Sequence, residues 1–131
     1  KVVVLDFWAT WCHYCIASFP AMQKAVDKYK NDDTVEFLFV NTLEHARNPE
    51  ARKKRILDFA AHNPYTFHIV MDEKATGGFQ VADAYGVNGI PAKFIIGPEG
   101  HIKFIKSGYD GYESALLREI AAMVALAQGK G

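Results

Sequence analysis

The sequence predicts a single α/β domain, a mixed central β-sheet flanked by helices on both faces. Three observations carry this reading. Near-continuous apolar runs at Lys1–Ala9 and Val35–Asn41 are separated by a stretch of helical period, the pattern of a parallel βαβ start. Much later, two short apolar runs flank Gly97-Pro98-Glu99-Gly100 and precede a final amphipathic segment, the pattern of an antiparallel hairpin and a closing helix. The third is size: 131 residues, half of them apolar, suffice to build one core without disulfide staples or a structural metal.

Along the chain, Lys1–Ala9 ends at a tight polar break and reads as a central strand buried on both faces. From Cys12 onward Ile16, Phe19, Met22, Val26 and Tyr29 recur at helical spacing, with Pro20 predicting a kink. Val35–Asn41 is the second strand. Asn48-Pro49 is a cap and first-turn pair opening a helix with Ile56, Leu57 and Ala60 within one turn, and Asn63-Pro64 ends it. Phe67–Met71 reads as a short peripheral strand. A short helix through Val81, Ala82 and Tyr85 stops at Gly86, and the hairpin runs are Ala92–Ile96 and His101–Lys106. Asp110 and Glu113 predict a capping box for a helix carrying Leu116, Leu117, Ile120, Met123, Val124 and Ala127, closed by Gly129. The order is βαβαβαββα, in one domain spanning 1–131. Phe7, Phe37, Phe39, Phe67 and Phe94 are assigned to the core.

Charge and composition exclude several functions. Fifteen basic and fifteen acidic side chains cancel, so no extended positive field exists to gather nucleic acid or an anionic membrane. The longest apolar stretch, Val2–Ala9, is interrupted by Asp6 and falls far short of the roughly 18 residues a membrane-spanning helix needs. Lys1 leads straight into Val2-Val3-Val4-Leu5 without a methionine or a cleavable leader, so the chain reads as a mature or excised fragment. Its two cysteines suit the cytosol and an oxidising compartment equally.

The chemistry lies at Trp11-Cys12-His13-Tyr14-Cys15, where a buried strand turns into a helix. Cysteines at i and i+3 on a first helical turn are close enough for a disulfide, and they are chemically unequal. At the helix N-terminus, unpaired N–H groups and the dipole depress the Cys12 pKa, while Cys15 lies one turn inside and is sheltered. Cys12 is therefore the expected nucleophile and Cys15 the resolving thiol. Trp11 is expected to be exposed beside the nucleophile and to face substrate.

Asp6-Phe7-Trp8-Ala9-Thr10-Trp11-Cys12-His13-Tyr14-Cys15, with Pro20 and Gly89-Ile90-Pro91, resembles a thioredoxin-fold protein. Within that superfamily the chain is most similar to TlpA/ResA-like thiol-disulfide oxidoreductases, through Trp-Ala-Thr-Trp-Cys, the long insert before Gly89 and the Phe94–Gly100 hairpin. It lacks the strand or hairpin that such proteins carry before the first strand, in keeping with a fragment. The resemblance implies disulfide exchange with protein thiols through a redox-active Cys12–Cys15 disulfide, with no other cofactor and no metal. It further implies a monomeric bacterial protein of an extracytoplasmic space, reducing partner disulfides such as those of apocytochromes with electrons from an upstream membrane donor.

Residue by residue, Pro91 resembles the cis-proline that packs beside the disulfide, and the backbone of Ile90 would pair with an extended substrate segment. Without the resemblance, Pro91 would merely open a strand in trans. Asp6 matches the buried acid of thioredoxins; an apolar site raises its pKa and suits it to take the Cys15 proton. Otherwise it is a structural carboxylate that reaches solvent or caps an amide. His13 and Tyr14 depart from the Gly-Pro or Glu-Pro found between such cysteines. A protonated His13 would hold Cys12 as thiolate and shift the couple toward oxidising potentials, whereas a neutral imidazole in solvent would do little. Ser18 stands where many ResA-like members have a glutamate.

Three alternatives compete. A zinc module could use Cys12, Cys15, His62 and His68, but the gap between the pairs is about three times a usual finger loop. A peroxiredoxin-like peroxidase would need Pro-x-x-x-Thr-x-x-Cys, and Leu5 and Ala9 occupy those places. A redox-inactive interaction module would not need both cysteines. His45 and His101 read as surface residues, and Arg52-Lys53-Lys54-Arg55 as a solvated helix face.

Overall fold

The structure, a computed structural model, describes residues 1–130. Its elements in chain order are β1 (Val2–Trp8), α1 (His13–Tyr29), β2 (Val35–Asn41), α2 (Pro49–Ala61), β3 (Ile69–Met71), β4 (Lys74–Ala75), β5 (Gly78–Phe79), α3 (Gln80–Tyr85), β6 (Ala92–Ile96), β7 (Ile102–Ser107) and α4 (Glu113–Ala127). The main sheet has the order β3-β2-β1-β6-β7. The pairs β1–β2 and β2–β3 are parallel, and β1–β6 and β6–β7 antiparallel, so the sheet is mixed as the sequence predicts.

β1 is apolar at nearly every position because both its faces are covered. Val2, Val4 and Trp8 point into a core with Phe19 and Met22 of α1, Phe39 of β2 and Leu116, Ile120 and Val124 of α4. Leu5 and Phe7 point the other way, toward Val40, Phe79, Ala82 and Phe94. The first core is fixed by aromatic edges, with Trp8 5.3 Å from Phe19, and the second by Phe7 5.5 Å from Phe94. Pro20 is accommodated inside α1, and Asn48 caps α2 by accepting from the Ala51 N–H at 2.8 Å.

Local details differ from the sequence reading. The small β4–β5 hairpin was not foreseen, since two-residue strands carry no periodicity. The capping box of α4 does not form. Helix α4 starts at Glu113 after Tyr112, the Asp110 carboxylate accepts from the Tyr112 N–H, and Glu113 pairs with Lys24 instead. In α2 the inward stripe is Arg52, Ile56 and Phe59, leaving Leu57 and Ala60 exposed. Arg52 is thus no part of a solvated face: it is buried, with its guanidinium 5.6 Å from the Phe79 ring, while Lys53, Lys54 and Arg55 remain in water. Phe67 is only half-buried, stacked 3.8 Å from Phe39.

Candidate active site

β1 delivers the chain to α1 through Ala9-Thr10-Trp11, and Cys12 is the N-cap, with extended φ −84° and ψ 102°. Its Sγ accepts the Cys15 N–H at 3.2 Å, so a sulfur fills the capping role usually taken by an oxygen. A disulfide joins Cys12 to Cys15 across this first turn, with Cα atoms 5.3 Å apart. Of the two, only Cys12 reaches the surface, at 4% exposure against 0% for Cys15. The amide aimed at Sγ and the helix dipole both favour negative charge on Cys12 once the bond is reduced.

One wall of the site comes from the other half of the chain. The Ile90–Pro91 bond is cis, as the resemblance implied, and the Ile90 carbonyl oxygen lies 3.6 Å from Cys12 Sγ. Pro91 is buried, and its carbonyl accepts the Gly108 N–H at 2.8 Å just beyond β7. Trp11 and Tyr14 are exposed, as is His13, whose ring meets Tyr14 edge-on at 5.4 Å. The Trp11 indole N–H donates to the Leu43 carbonyl at 2.8 Å, and His45 stacks on its face at 4.8 Å. Ser18 turns back on its own helix, donating to the Cys15 carbonyl at 2.7 Å.

Asp6 lies on the face of β1 that carries Val4 and Trp8, whose core also holds Cys15. It is neither solvent-reaching nor an amide cap. Its carboxylate is 1% exposed and without a hydrogen-bond partner among the described residues, facing the equally buried Lys93 ammonium at 3.6 Å. Burial holds Asp6 above its ordinary carboxylate range, and the Lys93 charge opposes that rise. The surroundings are therefore not purely apolar, contrary to expectation. Lys93 escaped notice, although a lone lysine inside the apolar run Ala92–Ile96 was the available signal.

Glu44, in the loop after β2, was also missed. It is buried, and its oxygens accept from the Thr10 N–H at 2.9 Å, the Asn41 amide at 2.8 Å and the Thr10 hydroxyl. No periodicity marks a loop acid of this kind. His62 and His68, which the zinc reading needs, lie elsewhere: His62 against the Asp58 carbonyl and His68 beside Glu36. Among the described residues, no three His, Cys, Asp or Glu side chains converge as a metal site. No helix of the described residues is long and apolar enough to cross a membrane.

A family model described as the AhpC/TSA family matches residues 1–105. The thiol-disulfide oxidoreductase ResA of Geobacillus thermodenitrificans is 37% identical over 108 residues, covering 82% of this chain and 55% of that protein. The ResA of Halalkalibacterium halodurans is 32% identical over 124 residues, 95% of this chain and 62% of its own length. The chain thus spans little more than half the length of the curated relatives it matches. Among solved structures, StoA from Bacillus subtilis superposes with a TM-score of 0.70 at 28% identity, covering 90% of this chain and 81% of StoA. A thioredoxin-like protein in its oxidised form reaches a TM-score of 0.74 at 22% identity, covering 96% of this chain and 79% of its own, a likeness of fold.

Proposed function

The chain belongs to the AhpC/TSA family and has a thioredoxin-like fold, and from that premise we propose that it is a thiol-disulfide oxidoreductase exchanging disulfides with protein substrates. The observation that supports this most directly is the Cys12–Cys15 pair itself. It closes one helical turn, with Cys12 at the N-cap and the Ile90 carbonyl against its sulfur.

In the reducing direction the Cys12 thiolate attacks one sulfur of a partner disulfide. A Cys12–partner bond forms, and the other partner sulfur leaves as a thiolate that takes a proton from water. Cys15 then gives its proton to Asp6 and attacks Cys12 Sγ, restoring the Cys12–Cys15 disulfide and expelling the second partner thiolate. Two electrons pass to the partner, and the dithiol is oxidised. Asp6 supports this role by lying on the face of β1 turned to the core that holds Cys15, and Lys93 supplies the counter-charge that makes its ionised form attainable in a dry site. Trp11, His13, Tyr14 and the Ile90–Pro91 backbone form the surface offered to an extended partner segment.

The ResA relatives are named thiol-disulfide oxidoreductases, and the motif resemblance extends the proposal to the reductant direction, an extracytoplasmic bacterial setting, apocytochrome disulfides as substrates and a membrane protein as electron donor. Ala9, fully buried where a peroxidase motif has threonine, leaves no hydroxyl to polarise a peroxide. Equilibrating the dithiol with glutathione buffers tests direction. A potential far below the glutathione poise supports a reductant, and one far above it an oxidant. Insulin reduction that survives Cys12→Ser overturns the proposal.

A further inference from the structure

Of three consecutive residues after β2, Leu43 and His45 hold Trp11 by its edge and one face, and Glu44 holds its neighbour Thr10. Leu43 has a left-handed backbone, φ 53°, which is rare for a leucine, and its carbonyl accepts the Trp11 indole N–H at 2.8 Å. His45 lies parallel to the indole within 14°, centroids 4.8 Å apart. Between them Glu44 points inward, only 4% exposed, and binds the neighbouring Thr10 by both its backbone N–H and its hydroxyl. The Asn41 amide completes the clamp at 2.8 Å, and Asn41 is paired with Trp8, so Glu44 ties the exits of β1 and β2 together.

This clamp lies outside the dithiol chemistry, since among the described residues the side-chain hydrogen bonds of Glu44 all go to Thr10 and Asn41 and none to a cysteine. It does fix an indole that is 46% exposed next to the nucleophile. A free surface tryptophan would lose side-chain freedom when a partner docked; one already held by its edge and one face loses little. Aromatic anchors of this kind carry a large share of the energy at protein interfaces.

We propose that Glu44 is a positioning residue for substrate recognition, holding Thr10 so that the stacked Trp11–His45 pair stands as a preformed platform for the cysteine-bearing segment of a protein partner. The inference rests on the exchange of disulfides with proteins proposed above. Glutamine can replace glutamate here: its oxygen accepts from the Thr10 N–H and Asn41, and its NH2 donates to the Thr10 hydroxyl, which turns to accept. Positioning therefore survives Glu44→Gln and fails in Glu44→Ala.

The test uses insulin as a protein disulfide and hydroxyethyl disulfide as a small one that needs no platform. Glu44→Ala raises KM for insulin about fivefold, with kcat and the small-disulfide rate within about twofold. Glu44→Gln stays near the native KM. His45→Ala raises KM similarly, and adding it to Glu44→Ala raises it little further, because both act through Trp11. Acrylamide quenching of the exposed tryptophan increases in Glu44→Ala, with buried Trp8 as the internal reference. An unchanged KM in Glu44→Ala, or equal losses on both probes, overturns the inference. So does a Glu44→Gln variant as slow on the small disulfide as on insulin, which would mark Glu44 as a proton acceptor. If Glu44→Ala does not fold, an unchanged KM in exposed His45→Ala is decisive against it. A native protein inert toward both disulfides refutes the proposed function itself.

Discussion

Asp6 and Lys93 stand directly opposite each other in the antiparallel β1–β6 register, both 1% exposed, with Nζ 3.6 Å from Oδ1. Two opposed effects act on the aspartate. Loss of water raises its pKa, the ammonium lowers it, and desolvation is the larger of the two. In the proposed exchange, the pair therefore sets the pH at which Asp6 ionises and can serve as a base.

Replacing Asp6 by Asn should slow resolution of the Cys12 mixed disulfide at neutral pH, on the order of tenfold or more, since general-base assistance is lost. The deficit should shrink as pH rises and Cys15 ionises unaided. Stopped-flow rates with a preformed mixed disulfide measure this, and identical profiles at every pH would remove Asp6 from the mechanism.

Lys93→Met removes the charge that opposes the rise in the Asp6 pKa. Resolution should then slow at pH 7, on the order of tenfold, and its pH profile should move to higher pH, while Lys93→Arg keeps much of the native profile. Unshifted profiles in the Met variant would show that the ammonium does not act through Asp6.

The same raised pKa fixes how stability depends on pH. The protonated Asp6 favours the fold, so its contribution is complete below the unfolded value, about 3.9, and is lost as pH rises from there through the raised folded value. Urea unfolding of the reduced domain should show stability falling across that window. Asp6→Asn should flatten the slope and be the more stable form at neutral pH. A less stable Asn variant there would mean that the ionised pair is net favourable.

In the reduced protein Cys12 should be alkylated near neutral pH at least tenfold faster than Cys15, because the helix end and the surface are both on its side. Cys15→Ser should accumulate partners as lasting mixed disulfides. Trapping by Cys12→Ser instead would reverse the two roles.

Long periodic elements were legible in the sequence: β1, α1, β2 and the β6–β7 hairpin lie where their apolar spacing predicts. The dithiol was legible because a strand running into Cys-x-x-Cys leaves little choice of geometry, and the cis bond before Pro91 because of a resemblance rather than of local physics. Side-chain partnerships across long loops were not. Lys93 answers Asp6 from 87 positions later, and Glu44 answers Thr10 from 34. Short-range capping was misjudged for a related reason. Asp110 spends its carboxylate on the Tyr112 amide, and Glu113 is drawn to Lys24 on another helix.

Because β1 sits mid-sheet between β2 and β6, the site is assembled from two lengths of chain that meet late. Everything up to Glu44, including both cysteines, Asp6 and Trp11, belongs to β1-α1-β2 and its following loop, which can associate over short loops. Ile90, Pro91 and Lys93 join only when β6 docks against β1. During synthesis, the emerging first portion would therefore carry a dithiol with its nucleophile in place but with neither the Ile90–Pro91 wall nor the counter-ion of its base. Docking of the last hairpin is what sets the Ile90 carbonyl against Cys12 and the Lys93 ammonium against Asp6.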